Sequence, residues 1–345
     1  MHIPADDYKA IVKAVKQSDS YLNEALWQYT TAHLHRGIDK VYGKAKPGTP
    51  AFETAVKMKH NTARFAAFKT AHQVKDIRQS VNPQALNDQY NQRWMTTEYV
   101  HSVRAARMAK QWQQFQRDKD IYPYLRYMPS TAAEPRNEHK RLYNLTKPVD
   151  DPFWDTWLPP NDWGCKCSVE QTDRPGSYTE PPDDLKPPPA VMRNNPAKTG
   201  QLFTDGHPMI KRVSETARKG IEKEFDSLYS RKTATDVLNW VKKHLAGKLI
   251  KVKDKPDFKI TIRHAKEILI KPAKKRWLRN LILQHIEYFY KKAIFVKSIN
   301  ENKGRKKYKY WYYYKVEILG ETYYMNIVML ANGEKRLHAV TDSIK

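Results

Sequence analysis

Two groups of residues in this chain could do chemistry. The first lies mid-chain, where the only two cysteines, Cys165 and Cys167, flank Lys166 and follow His139. Two thiolates and an imidazole are soft ligands suited to zinc. A metal there would add its binding energy to the folding of a loop-rich region. The spacing does not select a fourth ligand, for which His207 and Asp205 are both candidates. The same pair also fits buried structural cysteines or a redox couple, and all three readings stay open. A nucleophilic Cys165 activated by His139 lacks a carboxylate to orient the imidazole. A structural zinc is the one cofactor the sequence suggests.

The second group lies in the last third. His264, His285 and His338 titrate near neutrality, and Lys266, Lys271, Lys274 and Arg279 can hold phosphate. Metal-free RNA cleavage needs a base, an acid and cations on the phosphate, and these residue types supply all three. Arg263, Lys275 and Lys306 extend the cationic set. Tyr308 and Tyr310–Tyr314, with Trp311 among them, form an aromatic run in a segment read as a strand. Alternate members share a face, so one set, with Tyr312 as its candidate, would stack on bases while the other packs inward. Each feature also has an ordinary reading: a structural histidine, a half-core tyrosine strand, a solvated turn at Lys306-Lys307. Enzyme or binder therefore stays open.

At 345 residues the chain suits two domains, and 40% apolar content is enough for packed cores. No apolar run reaches the roughly 18 residues of a membrane helix, and the start, Met1–Asp7, lacks the pattern of a secretory leader. A soluble protein made in a reducing compartment, without a membrane partner, is the expectation. The net charge of +25 is uneven: residues 1–210 hold 29 Lys+Arg against 23 Asp+Glu, and residues 211–345 hold 33 against 14. Such a cationic segment predicts a nucleic-acid partner, DNA or RNA.

The first 120 residues read as helices. Phe52, Val56, Ala63, Ala67, Val74 and Ile77 mark one helix from about 52 to 77, and Leu86, Tyr90, Trp94, Met108, Trp112 and Phe115 recur at helical spacing after Pro83. Residues 122–172 are loop-like, and eight prolines between 175 and 208 predict an extended connection. Beyond it the pattern predicts a helix at 235–245 capped by Thr233 or Thr235, strands at 249–253 and 258–263, and a helix at 274–292. Strands at 293–299, 308–319, 322–330 and 335–341 complete the list, the last following the Asn332-Gly333 hairpin signal. The expected fold class is two domains. The N-terminal one is mainly α with an irregular Cys-x-Cys region, and the C-terminal one is a small α+β domain with an antiparallel meander.

The segment from Arg136 to Cys167 resembles the phage Mu protein F-like family of head morphogenesis proteins. The resemblance is carried by Arg136, His139 and Leu142, then Pro159, Pro160, Asn161, Cys165 and Cys167, with Asn144 where Gly is usual and Lys166 where Arg is usual. Upstream, Phe65-x2-Phe68-Lys69-x-Ala71-His72 and Trp94-x3-Glu98-Tyr99 fit its helical part. The resemblance implies a minor capsid protein acting near the portal, with portal and capsid partners, found in the host cytoplasm during assembly and then in the virion head. The C-terminal third resembles the phage barnase/EndoU/colicin/RelE-like nuclease domains. That likeness is carried by Ile262–Glu267, Lys271-Pro272, Arg279-Asn280 and Leu337–Ser343, with Ala273 where a His often follows the proline. It implies a metal-independent ribonuclease with His264, Lys266, Arg279, His338 and Thr341 as catalytic candidates, delivered with the virion, or else an inert DNA-gripping module. The implied organisation is a head domain over 1–174, a proline-rich linker over 175–210 and a basic nuclease-like domain over 211–345.

Overall fold

The computed structural model describes residues 3–301 and 306–344. Met1 and His2, part of the segment read for a leader, lie outside the described residues. The chain divides into two compact units, residues 1–225 and 226–345.

The first unit opens with three helices, α1 (Ala5–Lys16), α2 (Glu24–Tyr42) and α3 (Pro50–Gln79). Asn23 caps α2 by accepting from the Leu26 N–H, and Thr49 caps α3 from the Phe52 N–H, with Pro50 in the first turn where a missing N–H costs nothing. A short helix, α4 (Ala85–Asp88), runs through a π-helical stretch at Gln89–Trp94 into α5 (Met95–Asp118). α2 and α5 both pack on α3, and the expected stripe is buried: Phe52, Val56, Ala63, Ala67, Val74 and Ile77 all lie inside. Within that packing Lys69 of α3 and Glu98 of α5 form an ion pair at 2.6 Å with side chains 1% and 6% exposed. Burial depresses the Lys69 pKa and raises that of Glu98, while each partner's charge opposes the shift in the other.

A three-stranded antiparallel sheet follows, with β1 (Tyr124–Met128) between β2 (Thr146–Pro148) and β3 (Ser168–Thr172). Two short helices, α6 (Asn137–Lys140) and α7 (Phe153–Trp157), sit in its connections. Leu125, Tyr127, Leu142, Leu145, Trp154 and the two cysteines share one core with Trp112 and Phe115 of α5. Asn144 has φ +68°, the left-handed conformation. After glycine, asparagine is among the residues that tolerate this conformation best.

The proline-dense stretch 175–210 is not a free tether. It lies within the first unit and carries α8 (Pro196–Thr199) and α9 (Pro208–Lys211). Asn61 of α3 accepts from the Leu202 and Phe203 N–H groups and donates to the Phe203 carbonyl, and Phe203 stacks on Phe65 with centroids 3.9 Å apart. Proline removes backbone donors, so the segment is pinned by side chains instead of a ladder.

α10 (Glu215–His244) is one 30-residue helix, so Thr233 and Thr235 are interior and do not cap a helix starting at 235; the division between the two units falls within it.

In the second unit, a six-stranded sheet has the order β4 (Leu249–Ile250), β5 (Phe258–Lys259), β9 (Lys335–Thr341), β8 (Glu321–Leu330), β7 (Tyr308–Ile318) and β6 (Ile294–Asn300). β6 to β9 form the expected antiparallel meander, with Gly333 at φ +84° in the last turn. β5 pairs parallel to β9. The expected strand at 258–263 is cut short because the Thr261 hydroxyl accepts from the His264 N–H and starts α11 (Ile262–Ile270), which buries Ala265, Ile268 and Leu269. The expected helix at 274–292 breaks at His285 into α12 (Arg276–Gln284) and α13 (Ile286–Lys292). Helices α11 to α13 and the C-terminal part of α10 share one core with the sheet.

Candidate functional site

The first cluster is built on the loop between α7 and β3 and on α6. Gly164, at φ +72°, turns the chain so that Cys165 and Cys167 point inward while Lys166 stays exposed. Arg136, just before α6, holds this loop by pairing with Asp162 at 2.9 Å and donating to the Trp163 carbonyl. Arg104 of α5 donates to the Cys165 carbonyl at 2.8 Å. His139 is thereby set with Nδ1 3.7 Å from each of the two sulfurs, and all three residues are buried. Asn161, Tyr127 and Ser130 neighbour the two sulfurs, and their polar groups favour the thiolate form. The two thiols compete for one proton: the Cys167 S–H bond, together with His139, draws Cys165 down, and the same contact pushes Cys167 up. His139, Cys165 and Cys167 are the residues here that could hold a metal ion. His207 and Asp205, the fourth-ligand candidates, lie elsewhere. His207 packs on Phe65 and Phe203 and caps α9, and Asp205 pairs with Arg64 and Arg218.

The second cluster lies on the meander face opposite the core. Arg336 and His338, two apart on β9, reach the same face as Trp311 of β7, which packs edge-on against the His338 ring at 4.9 Å. An irregularity in the β8–β9 pairing falls at His338, between the Ile327–Leu337 and Asn326–Ala339 pairs, and such bulges re-aim side chains. Across from them, His264 on the first turn of α11 meets Arg336, with Nε2 3.0 Å from Nη1. Arg336 also donates to the Tyr308 hydroxyl at 3.4 Å and lies over that ring. Lys271 donates to the His338 carbonyl at 2.9 Å.

The guanidinium always donates, so Nε2 of His264 accepts and the neutral imidazole carries its proton on Nδ1. Burial and the adjacent Arg336 depress the His264 pKa, consistent with the neutral form. His264 Nδ1 and Arg336 Nε are then two buried N–H donors with no acceptor. Among the described residues Arg336 has no carboxylate partner. Arg336 thus stands as a half-buried cation against an imidazole and a ring, the setting in which an anion is bound most strongly.

The other sequence candidates divide. Arg279 is fully buried and holds the end of α11, donating to the Leu269 and Lys271 carbonyls and to Asn280, so it is structural. Burial lowers its pKa to about 10. Tyr312 stands half-buried against the sheet's core side, away from His338, because Tyr312 and Trp311 alternate. Thr341 bonds the Ser343 carbonyl, Arg263 pairs with Glu267, and Lys275 pairs with Glu321. Lys266, Lys274 and Lys306 are exposed. His285 is at the α12–α13 break, its pKa lowered by burial. Arg336 and Trp311 complete the cluster. Arg336 escaped the sequence reading although its two-residue spacing from His338 places both on one face.

The family described as Phage Mu protein F like protein matches residues 54–170, about a third of the chain, spanning α3, α5, the three-stranded sheet and the cysteine cluster. The chain is similar to a protein named as capsid assembly protein F of Escherichia phage Mu, 39% identical over 77 residues, which is 22% of this chain and 18% of that protein. It is also similar to the Mu-like prophage FluMu F protein of Haemophilus influenzae, 38% identical over 76 residues, 22% of this chain and 17% of that one. The chain thus matches less than a fifth of the length of these curated relatives. No solved structure matches the chain. Among the described residues no helix is long and apolar enough to cross a membrane.

Proposed function

We propose that this chain is a phage head morphogenesis protein, a minor capsid component acting near the portal, whose second unit contacts nucleic acid through the His264–Arg336–His338 cluster. The head role rests on the match over residues 54–170, which includes the buried Lys69–Glu98 pair and the Arg136-clamped cysteine loop. The nucleic-acid role rests on one observation above all: Arg336, half-buried beside His264 and Tyr308, has no carboxylate partner among the described residues. A phosphate would supply the counter-charge that Arg336 lacks. The setting favours it, since residues 226–345 carry 28 Lys+Arg against 11 Asp+Glu.

The head role predicts that this chain co-purifies with the particles of the phage that encodes it. Deleting its gene should abolish full heads, and full heads assembling normally without it would overturn the reading.

A second reading, ribonuclease, is favoured by the two histidines that meet the same arginine–aromatic group. His338 could serve as the acid–base group and Arg336 could hold the phosphate, with His264, whose Nε2 lone pair Arg336 occupies, orienting the arginine. Full-length protein incubated with labelled RNA in chelator should then give cleavage that is lost in His338→Ala. Intact RNA with retained binding leaves the phosphate-holding role alone.

A further inference from the structure

We propose that His139, Cys165 and Cys167 bind one zinc ion through Nδ1 and the two sulfurs. In a tetrahedral site Zn–S of about 2.3 Å and Zn–N of about 2.0–2.1 Å put nitrogen and sulfur about 3.6 Å apart. Both sulfurs stand 3.7 Å from the same Nδ1, two edges of such a tetrahedron. A ring nitrogen has one in-plane lone pair and cannot accept from two thiols at once. An equal approach of both sulfurs therefore suits a shared ion better than a pair of S–H bonds.

The surroundings agree. The three side chains are all buried, and their ligand atoms lie within 4.8 Å of one another. The Asn161 amide, four residues before Cys165, donates to the Tyr127 hydroxyl at 2.9 Å and so ties the loop to β1. Arg136 and Arg104 hold the loop from outside the cluster. Among the described residues no further His, Cys, Asp or Glu joins the three, so the protein supplies three of the four vertices from these residue types. Sulfur and imidazole ligands on a tetrahedron favour zinc among divalent ions. The ion would tie α6 to the loop that precedes β3, a region rich in irregular backbone, and so add to the stability of the first unit.

The test is metal content of the full-length protein purified under reducing conditions. One zinc per chain is expected, released by chelator together with two titratable thiols and a fall in Tm. Cobalt substitution should give a thiolate-to-cobalt charge-transfer band. Zinc should fall to background in Cys165→Ser, and His139→Cys, which keeps three soft ligands, should retain it. Wild-type protein that holds no zinc after equilibration and dialysis, with both thiols reacting at once, overturns the proposal. So does a stable Cys165–Cys167 disulfide that forms equally well in the presence of zinc.

Discussion

Lys69→Met is expected to destabilise the first unit by about 3–5 kcal/mol, the cost of leaving a buried carboxylate without its partner. Glu98 has its side chain 6% exposed and receives the Lys69 ammonium at 2.6 Å. Without the ammonium it either ionises in a low-dielectric interior or stays protonated at the expense of a raised pKa. The second course gives a pH signature. A carboxyl whose folded pKa is raised above about 4.5 takes up a proton on folding, so its penalty is small below that pH and grows as pH rises toward the folded value. The deficit of Lys69→Met should therefore be larger at pH 8 than at pH 5 in urea unfolding. Lys69→Met/Glu98→Leu, which removes both charges, should recover most of the loss and come within about 1 kcal/mol of the parent or exceed it. A single mutant as stable as the parent at pH 8 would show that the pair does not hold α3 against α5.

That pair also shows what could be read in the sequence and what could not. Lys69 and Glu98 were visible as parts of two short helical motifs, but nothing in their spacing, 29 residues apart, announced that they meet in the core. Periodicity served well where an element buries a single face. The stripe from Phe52 to Ile77 lies inside α3, and the alternation that ends in Lys335–Thr341 gives β9 with the same bounds. It failed where side chains override local pattern. Phe258, Ile260 and Ile262 alternate like a strand, yet the Thr261 hydroxyl captures the His264 N–H and turns the second half into α11.

Proline density misled for a related reason. It forbids a ladder but not burial, and Asn61 satisfies the backbone of Leu202 and Phe203 in place of one. At the candidate sites, residue type alone could not separate a cation facing solvent from one capping a helix. Arg279 looks like a phosphate ligand by composition, but it is consumed by the carbonyls that end α11. Arg336, two residues before His338, has no carboxylate partner among the described residues and stands against His264 instead.

The nucleic-acid role turns on that arginine, and the most direct measurement is the affinity of the full-length protein for labelled RNA and DNA across a range of salt. The parent should bind with an affinity that falls steeply as salt rises, as phosphate contacts release counterions. Arg336→Gln should weaken binding about tenfold and flatten the log–log salt slope by about one, the mark of a single lost phosphate contact. Lys266→Gln, an exposed change away from the unsatisfied donors, should alter affinity far less. If the full-length protein ignores both nucleic acids at low salt, or if Arg336→Gln leaves affinity and slope unchanged, the cluster does not hold phosphate.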